Sequence, residues 1–549
     1  MQHLCSLSRG REPAFGREAC GLPRSLAEKP SPSGDGVFTI ATGKPVTASE
    51  AEKIGLIDAI AEGDLAEEAI ALAQKAASEP LRTPLAQRAP LMVEDGAAFE
   101  AAAAKIEAKA GQQNAPRVAV RAVRNALDLP AEAALAAERE AFLALKADPQ
   151  SSALRHVFFA ERATTRIERL RTVRPRILKE VGVIGGGTMG AGIAAACLLA
   201  GYSVTMVERD SEAAAAGEGR VKSVLDGSLK RGLISASRHA SLLAEFSASD
   251  GYDALSGTDL AVEAVFENMD VKKEVFAKLD VHARPDSVLA TNTSYLDVNE
   301  IANSSACPGR VIGLHFFSPA HIMKPLEIVV SDAASDEILA TGVAFAKSLK
   351  KIPVLAGVCN GFIANRIMSA YRREAECMLE DGALPWEVDA AMTEFGLPMG
   401  LFQMQDLAGL DISWAMRKQQ AATRDQDQRY VDIGDKLCEM GRFGRKSGRG
   451  YYLYGETGKA TPDPEVEALI LSESARKGIV RQRMTRSDIM ARILEAMQTE
   501  GAAILDEGIA RCGDDIDVVM INAYGFPRWK GGPMFMKGQE SELHRKRHE

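Results

Sequence analysis

The chain has no apolar run of the roughly 18–20 residues that a membrane-spanning helix needs, so no membrane span is expected. It is also short of aromatic residues, at 5%, and of positive charge. A net charge of −9 argues against nucleic acid as a partner, because phosphate backbones call for a basic surface. That balance still allows a local basic patch for a phosphate-bearing ligand. The eight cysteines, Cys5, Cys20, Cys197, Cys307, Cys359, Cys377, Cys438 and Cys512, are scattered. None forms a CxxC pair and no histidine stands beside them at metal-ligand spacing. They therefore read as reduced thiols of a cytoplasmic protein without a metal site. The N-terminus carries arginines but no hydrophobic signal core, and Glu12, Glu18 and Glu28 do not suit a transit peptide. The chain ends His-Glu, which is no peroxisomal tripeptide.

What is present suits a soluble, multi-domain protein. At 549 residues, 46% hydrophobic and 26% charged, the chain is long enough for about three or four domains. Residues 1–37 show no periodicity and end in the turn-rich Ser31-Pro32-Ser33-Gly34-Asp35-Gly36, an unstructured lead-in. From about Leu65 to Leu170 the pattern is alanine-rich and helical, broken at Pro80, Pro84, Pro90 and Pro130. Short β-rich runs then alternate with helical segments: Val181–Ile184, Ser203–Val207, Leu260–Val265, Ser287–Ala290 and Val311–Leu314. That alternation predicts an α/β domain, a doubly wound parallel sheet covered on both faces.

After about Gly357 the strands give way to long amphipathic helices with an internal repeat. Arg366-Ile367 matches Arg492-Ile493, Glu374 matches Glu500 and Gly382 matches Gly508, all 126 residues apart. Gly396-Leu397-Pro398 matches Gly525-Phe526-Pro527 at 129. These matches predict a duplicated helical module, its first copy running to Tyr451-Tyr452 and Tyr454. The second stops soon after Gly531-Gly532-Pro533-Met534, and the last fifteen residues, 535–549, read as a solvated tail.

Gly185-Gly186-Gly187-Thr188-Met189-Gly190 fits GxGxxG, a pattern that carries weight only between a strand and a helix. Here it follows Val181–Ile184 and opens the apolar helix Ala191–Ala200. Gly185 would allow the tight turn, Gly187 the approach of a pyrophosphate, and Gly190 close packing of helix on strand. The helix N-terminus would offer free N–H groups to the phosphates. Glu208 ends the second strand, 23 residues after Gly185. A carboxylate there accepts hydrogen bonds from ribose hydroxyls and repels a 2′-phosphate, which favours NAD over NADP. Arg209 beside it is the residue that could admit NADP.

Gly313-Leu314-His315-Phe316-Phe317-Ser318-Pro319 places a histidine just past an apolar strand, at the end where parallel sheets bind ligands. Twelve residues on, Glu327 is a lone carboxylate in an apolar run, Met323 to Ile328. A buried glutamate needs a partner, and His315 is the one at hand. A carboxylate on one imidazole nitrogen fixes the tautomer and leaves the other nitrogen as proton acceptor. Oxidation of an alcohol by hydride loss needs such a base.

The pair His315/Glu327, the loop at 185–190, Asn292-Thr293-Ser294 and Gly361-Phe362-Ile363-Ala364-Asn365-Arg366-Ile367 together resemble the 3-hydroxyacyl-CoA dehydrogenase family, from about Ile177 to Phe535. The resemblance implies oxidation of an (S)-3-hydroxyacyl-CoA by NAD in fatty-acid β-oxidation, with His315 as base and Glu327 orienting it. It implies Ser294 and Asn365 around the C3 oxygen, with Glu267 and Lys272 near the nicotinamide end. It also implies a homodimer or a complex with a thiolase subunit.

The tandem arrangement is similar to multifunctional enzymes in which an enoyl-CoA hydratase (crotonase) part precedes the dehydrogenase. Thr42-Gly43-Lys44-Pro45-Val46 and Ala51–Asp58 resemble the late part of that fold, and Phe158-Phe159-Ala160-Glu161-Arg162 resembles the linker helix. The divisions expected are a crotonase remnant at 38–150, a linker helix at 151–175, an NAD-binding Rossmann domain at 176–357, and helical modules at 358–455 and 484–549. Hydratase chemistry needs an oxyanion hole and a glutamate pair, and both would lie upstream of Thr42. No matching glycine-rich loop is found there, so hydratase activity is expected to be absent and the chain shortened at both ends. Two other readings stay open: a dehydrogenase of a small branched 3-hydroxyacid, and an inactive NAD-binding remnant with a structural role. Turnover of acyl-CoA with NAD separates both from the main one.

Overall fold

The computed structural model describes residues 41–43, 45–53, 57, 59–78, 96–419, 421, 424 and 429–539. The lead-in at 1–37, the breaks at Pro80, Pro84 and Pro90, and residues 540–549 of the expected tail lie outside them; residues 535–539 are helical, with Phe535 stacked on His156, which corrects the tail there. The chain divides into two compact units, Met1–Ser152 and Ala153–Glu549. In the first, the alanine-rich pattern forms the helices Gly96–Ala110, Asn114–Asp128 and Ala131–Ala147. Alanine favours helix but brings little apolar area. The core is accordingly small: Phe99, Ala103, Ile106, Val120 and Val123, with Ala41. Leu65–Ser78 is helical and buries no residue. Pro130 caps the start of Ala131–Ala147, where its missing N–H costs nothing.

The second unit contains an eight-stranded sheet. Its strands are β1 Glu180–Ile184, β2 Ser203–Val207, β3 Phe246–Ser249, β4 Leu260–Glu263, β5 Val288–Thr291, β6 Val311–Phe316, β7 Pro325–Val329 and β8 Ile352–Ala356. The order is β3-β2-β1-β4-β5-β6-β7-β8. Adjacent strands are parallel except β6 and β7, which are antiparallel. The all-parallel expectation is thus corrected at one pair. Strands β3, β7 and β8 were not among those expected. Phe246-Ser247-Ala248-Ser249 is half-exposed at a sheet edge, and its four residues carry a single large apolar side chain. β8 carries Pro353, which marks an edge. That edge is closed by the helical region: Gly357 N–H donates to Ile509 O at 2.8 Å, and Ala356 bridges Ala510. The strand order reverses between β1 and β4, so a crevice opens at the carboxyl ends of these strands.

In the helical region, the positions that repeat 126 residues apart meet one another. Arg366 Nε lies 2.6 Å from Glu500 Oε1, and Arg492 Nε lies 2.6 Å from Glu374 Oε1. Arg366 Nη2 also reaches Glu507 at 2.7 Å, and Arg492 Nη2 reaches Asp381 at 3.0 Å. Each copy's arginine pairs with the other's acids, as an approximate two-fold axis between the helices Ala364–Asp381 and Arg486–Asp506 requires. Both copies also bury an aspartate at the fifth position of a helix. Asp389 accepts from Phe402 N–H, Gln403 N–H and the Tyr452 hydroxyl. Asp517 accepts from Met534 N–H, Phe535 N–H and His156 Nε2, the last at 2.9 Å. The helix Pro149–Ala163 therefore supplies to the second copy the partner that Tyr452 supplies to the first.

His156 also stacks on Phe535 at 4.5 Å. Burial pulls its pKa down, but the Asp517 and Asp514 carboxylates outweigh that and hold it above the ordinary value. A histidine raised on folding stabilises the native state below its unfolded pKa of about 6.5 and ceases to do so as pH rises through its folded pKa. The melting temperature is therefore expected to fall as pH is raised above about 6.5. The fall should be smaller in His156→Gln, as calorimetry across that range would show.

Candidate active site

The glycine motif forms the link between β1 and the helix Thr188–Ala200, which starts three residues before the expected Ala191. Thr188, Met189 and Gly190 thus make its first turn. Gly185 has φ +98°, and a Cβ there would lie 2.8 Å from Ala264 O. At Gly190 a Cβ would lie 1.8 Å from Gly185 O, so only glycine lets the helix pack this closely. A Cβ at Gly187 would meet nothing within 4 Å. The three glycines are therefore two closed positions and one open one, and the open one adjoins the helix N-terminus. An anion fits there. Gly190→Ala should displace the loop, and overpacking of about 1–3 kcal/mol predicts NAD binding roughly ten- to a hundred-fold weaker by fluorescence titration.

Glu208 follows β2, and its Oε1 accepts from Gly186 N–H at 2.6 Å. Arg220 fastens the next peptide group of the loop by donating to Gly186 O at 2.9 Å. Arg209 is exposed and pairs with Asp210 at 3.0 Å. The carboxylate thus stands beside the loop while the neighbouring cation is engaged elsewhere, an arrangement that fits a free ribose diol better than a 2′-phosphate.

His315 lies within β6, which continues to Phe316, rather than just past the strand. Glu327 on β7 is its direct cross-strand partner. The antiparallel pairing is what brings two residues twelve apart in sequence side by side. His315 Nδ1 lies 2.6 Å from Glu327 Oε2, with the two side chains 4% and 0% exposed. A carboxylate only accepts, so Nδ1 carries the proton and Nε2 is the free base. The other oxygen of Glu327 accepts from Ile363 N–H at 3.1 Å and Ala364 N–H at 3.0 Å, at the start of the helix Ala364–Asp381. That helix end stabilises the buried charge. Phe317 and Phe362 flank the imidazole at 4.7 and 5.5 Å.

Ser294 Oγ lies 3.2 Å from His315 Nε2, so these two are brought together. Glu267 holds the Ser294 loop: its Oε1 accepts from Thr293 Oγ1 at 2.6 Å, Ser294 N–H at 2.8 Å and Tyr295 N–H at 3.1 Å. Lys272 does not open onto the crevice. It is 1% exposed, with its ammonium 2.7 Å from Glu263 and 3.3 Å from Glu267, and so can reach a cofactor only through Glu267. Asn365 follows Ala364 and is 8% exposed, its Oδ1 taking the hydroxyl of Tyr524. Several contributors were not singled out in the sequence. Glu263 closes the lysine pair and accepts from Thr291 Oγ1 at 2.6 Å. Asn292 Oδ1 accepts from Phe316 N–H at 2.8 Å. For Glu263 the available signal was a carboxylate ending an apolar strand, and for Asn292 its place beside Ser294.

Residues 180–359 match the family description "3-hydroxyacyl-CoA dehydrogenase, NAD binding domain", and residues 361–454 match the C-terminal domain of the same family. The peroxisomal bifunctional enzyme of Danio rerio is 38% identical over 533 residues, covering 92% of this chain and 73% of the relative. The human enzyme of that name is 38% identical, covering 90% and 71%. Among solved structures, 3-hydroxybutyryl-CoA dehydrogenase of Escherichia coli superimposes with a TM-score of 0.58 at 25% identity, over 68% of this chain and 96% of that one. The dehydrogenase part of multifunctional enzyme 1 from C. elegans gives 0.51 at 27% identity, over 68% and 86%.

Proposed function

Because the chain belongs to the 3-hydroxyacyl-CoA dehydrogenase family, in its multifunctional branch, we propose that it oxidises (S)-3-hydroxyacyl-CoA to 3-oxoacyl-CoA in fatty-acid β-oxidation, with NAD as cofactor and His315 as base. When bound, NAD supplies the acceptor for the hydride lost from C3. The chain's own residues do the rest. Gly187 and the first turn of Thr188–Ala200 receive the pyrophosphate, and Glu208 receives the ribose. Ser294 and Asn365 hold the C3 oxygen, and His315 Nε2 takes its proton. In the reverse direction the imidazolium returns the proton. Glu327 keeps the proton-free nitrogen pointing the right way in both directions.

The observation that carries this reading is the 2.6 Å contact between His315 Nδ1 and a fully buried Glu327, with Nε2 turned to Ser294. His156 has a similar buried partner in Asp517, but its Nε2 is taken by that carboxylate, whereas Nε2 of His315 faces the Ser294 hydroxyl. We assign 176–357 to the cofactor domain, 358–455 and 484–549 to the paired helical modules, 151–175 to the linker, which is α-helical only as far as Ala163, and 38–150 to a crotonase-like remnant. No helix among the described residues is long and apolar enough to cross a membrane. The two bifunctional relatives are peroxisomal by name, and a peroxisomal setting replaces the cytoplasmic one in this reading; imaging of the tagged full chain tests it. A homodimer or a complex with a thiolase subunit completes it, to be measured by light scattering with and without a thiolase. The decisive experiment follows NADH absorbance with acetoacetyl-CoA. Steady oxidation of NADH is expected, and its absence at saturating substrate overturns the reading.

A further inference from the structure

The second helical copy reaches into the site through one hydroxyl. Tyr524 is the last residue of the helix Gly513–Tyr524, followed by the left-handed Gly525. Its O–H donates to Asn365 Oδ1. Its ring stands edge-on to Phe317 at 6.4 Å, and Phe317 lies 4.7 Å from the His315 ring. Burial and the neighbouring Tyr371, Tyr295 and Glu327 hold the phenol well above its ordinary pKa, so it stays a donor.

An asparagine amide can present either its oxygen or its nitrogen to a ligand, and its surroundings decide which. If Asn365 were turned over, Nδ2 would donate to the phenol oxygen and the phenol hydrogen would lose its acceptor. The satisfied arrangement is the observed one. It directs Oδ1 at Tyr524 and leaves Nδ2, which has no hydrogen-bond partner among the described residues, to donate elsewhere. The duplication sharpens the point. The residue just before the matching glycine of the first copy, Gly396, is Phe395, which is 7% exposed and packs edge-on against Phe526 at 5.5 Å. The same helix end thus carries a plain ring in the first copy, and a ring with one added hydroxyl in the second.

We propose that Tyr524 is a positioning residue of the dehydrogenase site: it locks the Asn365 amide so that Nδ2 faces the C3 oxygen of the substrate. This rests on the dehydrogenase reading above. The site of the first copy is then incomplete without the second.

The test uses the full chain and four proteins: wild type, Tyr524→Phe, Asn365→Ala and the double variant. Phenylalanine keeps the ring that the first copy uses at this place, so the melting temperature should be almost unchanged. Loss of the hydrogen bond that holds the amide, about 1 kcal/mol, predicts kcat for acetoacetyl-CoA reduction roughly five-fold lower in Tyr524→Phe. NAD affinity and KM should stay within about two-fold, a split that general loosening would not produce. The double variant should be no slower than Asn365→Ala alone, because the hydroxyl acts through that amide. Wild-type kcat in Tyr524→Phe overturns the proposal, as do losses that multiply in the double variant. A wild-type chain that leaves NADH unoxidised overturns the dehydrogenase reading itself, and this inference with it.

Discussion

His315→Ala is expected to lower kcat for acetoacetyl-CoA reduction by about 10³–10⁴-fold, while NAD binds with wild-type affinity. The size follows from the site. General acid–base catalysis by a positioned side chain contributes roughly 10²–10⁴-fold. Here the imidazole Nε2 lies 3.2 Å from Ser294 Oγ, where the substrate oxygen is expected. The retained NAD affinity follows from distance in the fold: the glycine loop, Glu208 and Arg220 are tied to β1 and β2, whereas His315 belongs to β6. Removing the imidazole leaves Glu327 with its contacts to Ile363 and Ala364, so the carboxylate is still partly compensated and the sheet should hold. Stopped-flow measurement of NADH oxidation, with a fluorescence titration of NAD on the same preparation, reads both quantities. Equal rates in the two proteins would remove His315 from the chemistry.

How much of this was legible in the sequence depended on whether the signal was local. The glycine loop was readable because turn, cradle and helix start lie within six consecutive residues, each with its own steric reason: a positive φ at Gly185, open space at Gly187 and contact at Gly190. The His315–Glu327 pair was readable because a carboxylate in an apolar run asks for a partner. The reason they meet was not readable. It lies in β7 running against β6, and a five-residue apolar run does not announce its direction. Strand β3 was invisible because Phe246-Ser247-Ala248-Ser249 is only four residues long, with one large apolar side chain, too little to stand out from a loop. Lys272 shows the opposite limit. The family resemblance implied a cation near the nicotinamide end, while its surroundings, Glu263 and Glu267, bury it as a strut. Tyr524 lies 159 residues from the asparagine it touches, and no pattern within its own helix points there.

Glu327→Gln separates orientation from charge, and its expected effect is nearly as large as removal of the base. Glutamine is isosteric with the native side chain, and its amide oxygen can keep the hydrogen bonds from Ile363 and Ala364 N–H. That places the amide NH₂ where Oε2 now lies, 2.6 Å from His315 Nδ1. An NH₂ can only donate, so Nδ1 must become an acceptor and the imidazole proton must move to Nε2. The nitrogen facing Ser294 is then occupied and cannot take the substrate proton. Reversing a histidine tautomer in this way costs on the order of 10³–10⁴-fold in rate where the histidine is the base. The fold should tolerate the change, since a fully buried charge has been replaced by a neutral group of the same shape. The expected result is therefore kcat lower by about three orders of magnitude, with an unchanged far-ultraviolet spectrum, near-native NAD affinity and a melting temperature within a few degrees of wild type. Glu327→Ala serves as the control: it removes the wrong-tautomer constraint but leaves Nδ1 without its acceptor and a cavity behind. Its kcat should exceed that of Glu327→Gln if tautomer is the dominant effect. A Glu327→Gln enzyme that keeps a tenth or more of wild-type kcat would mean that the carboxylate only packs against His315, and the base would have to be sought elsewhere.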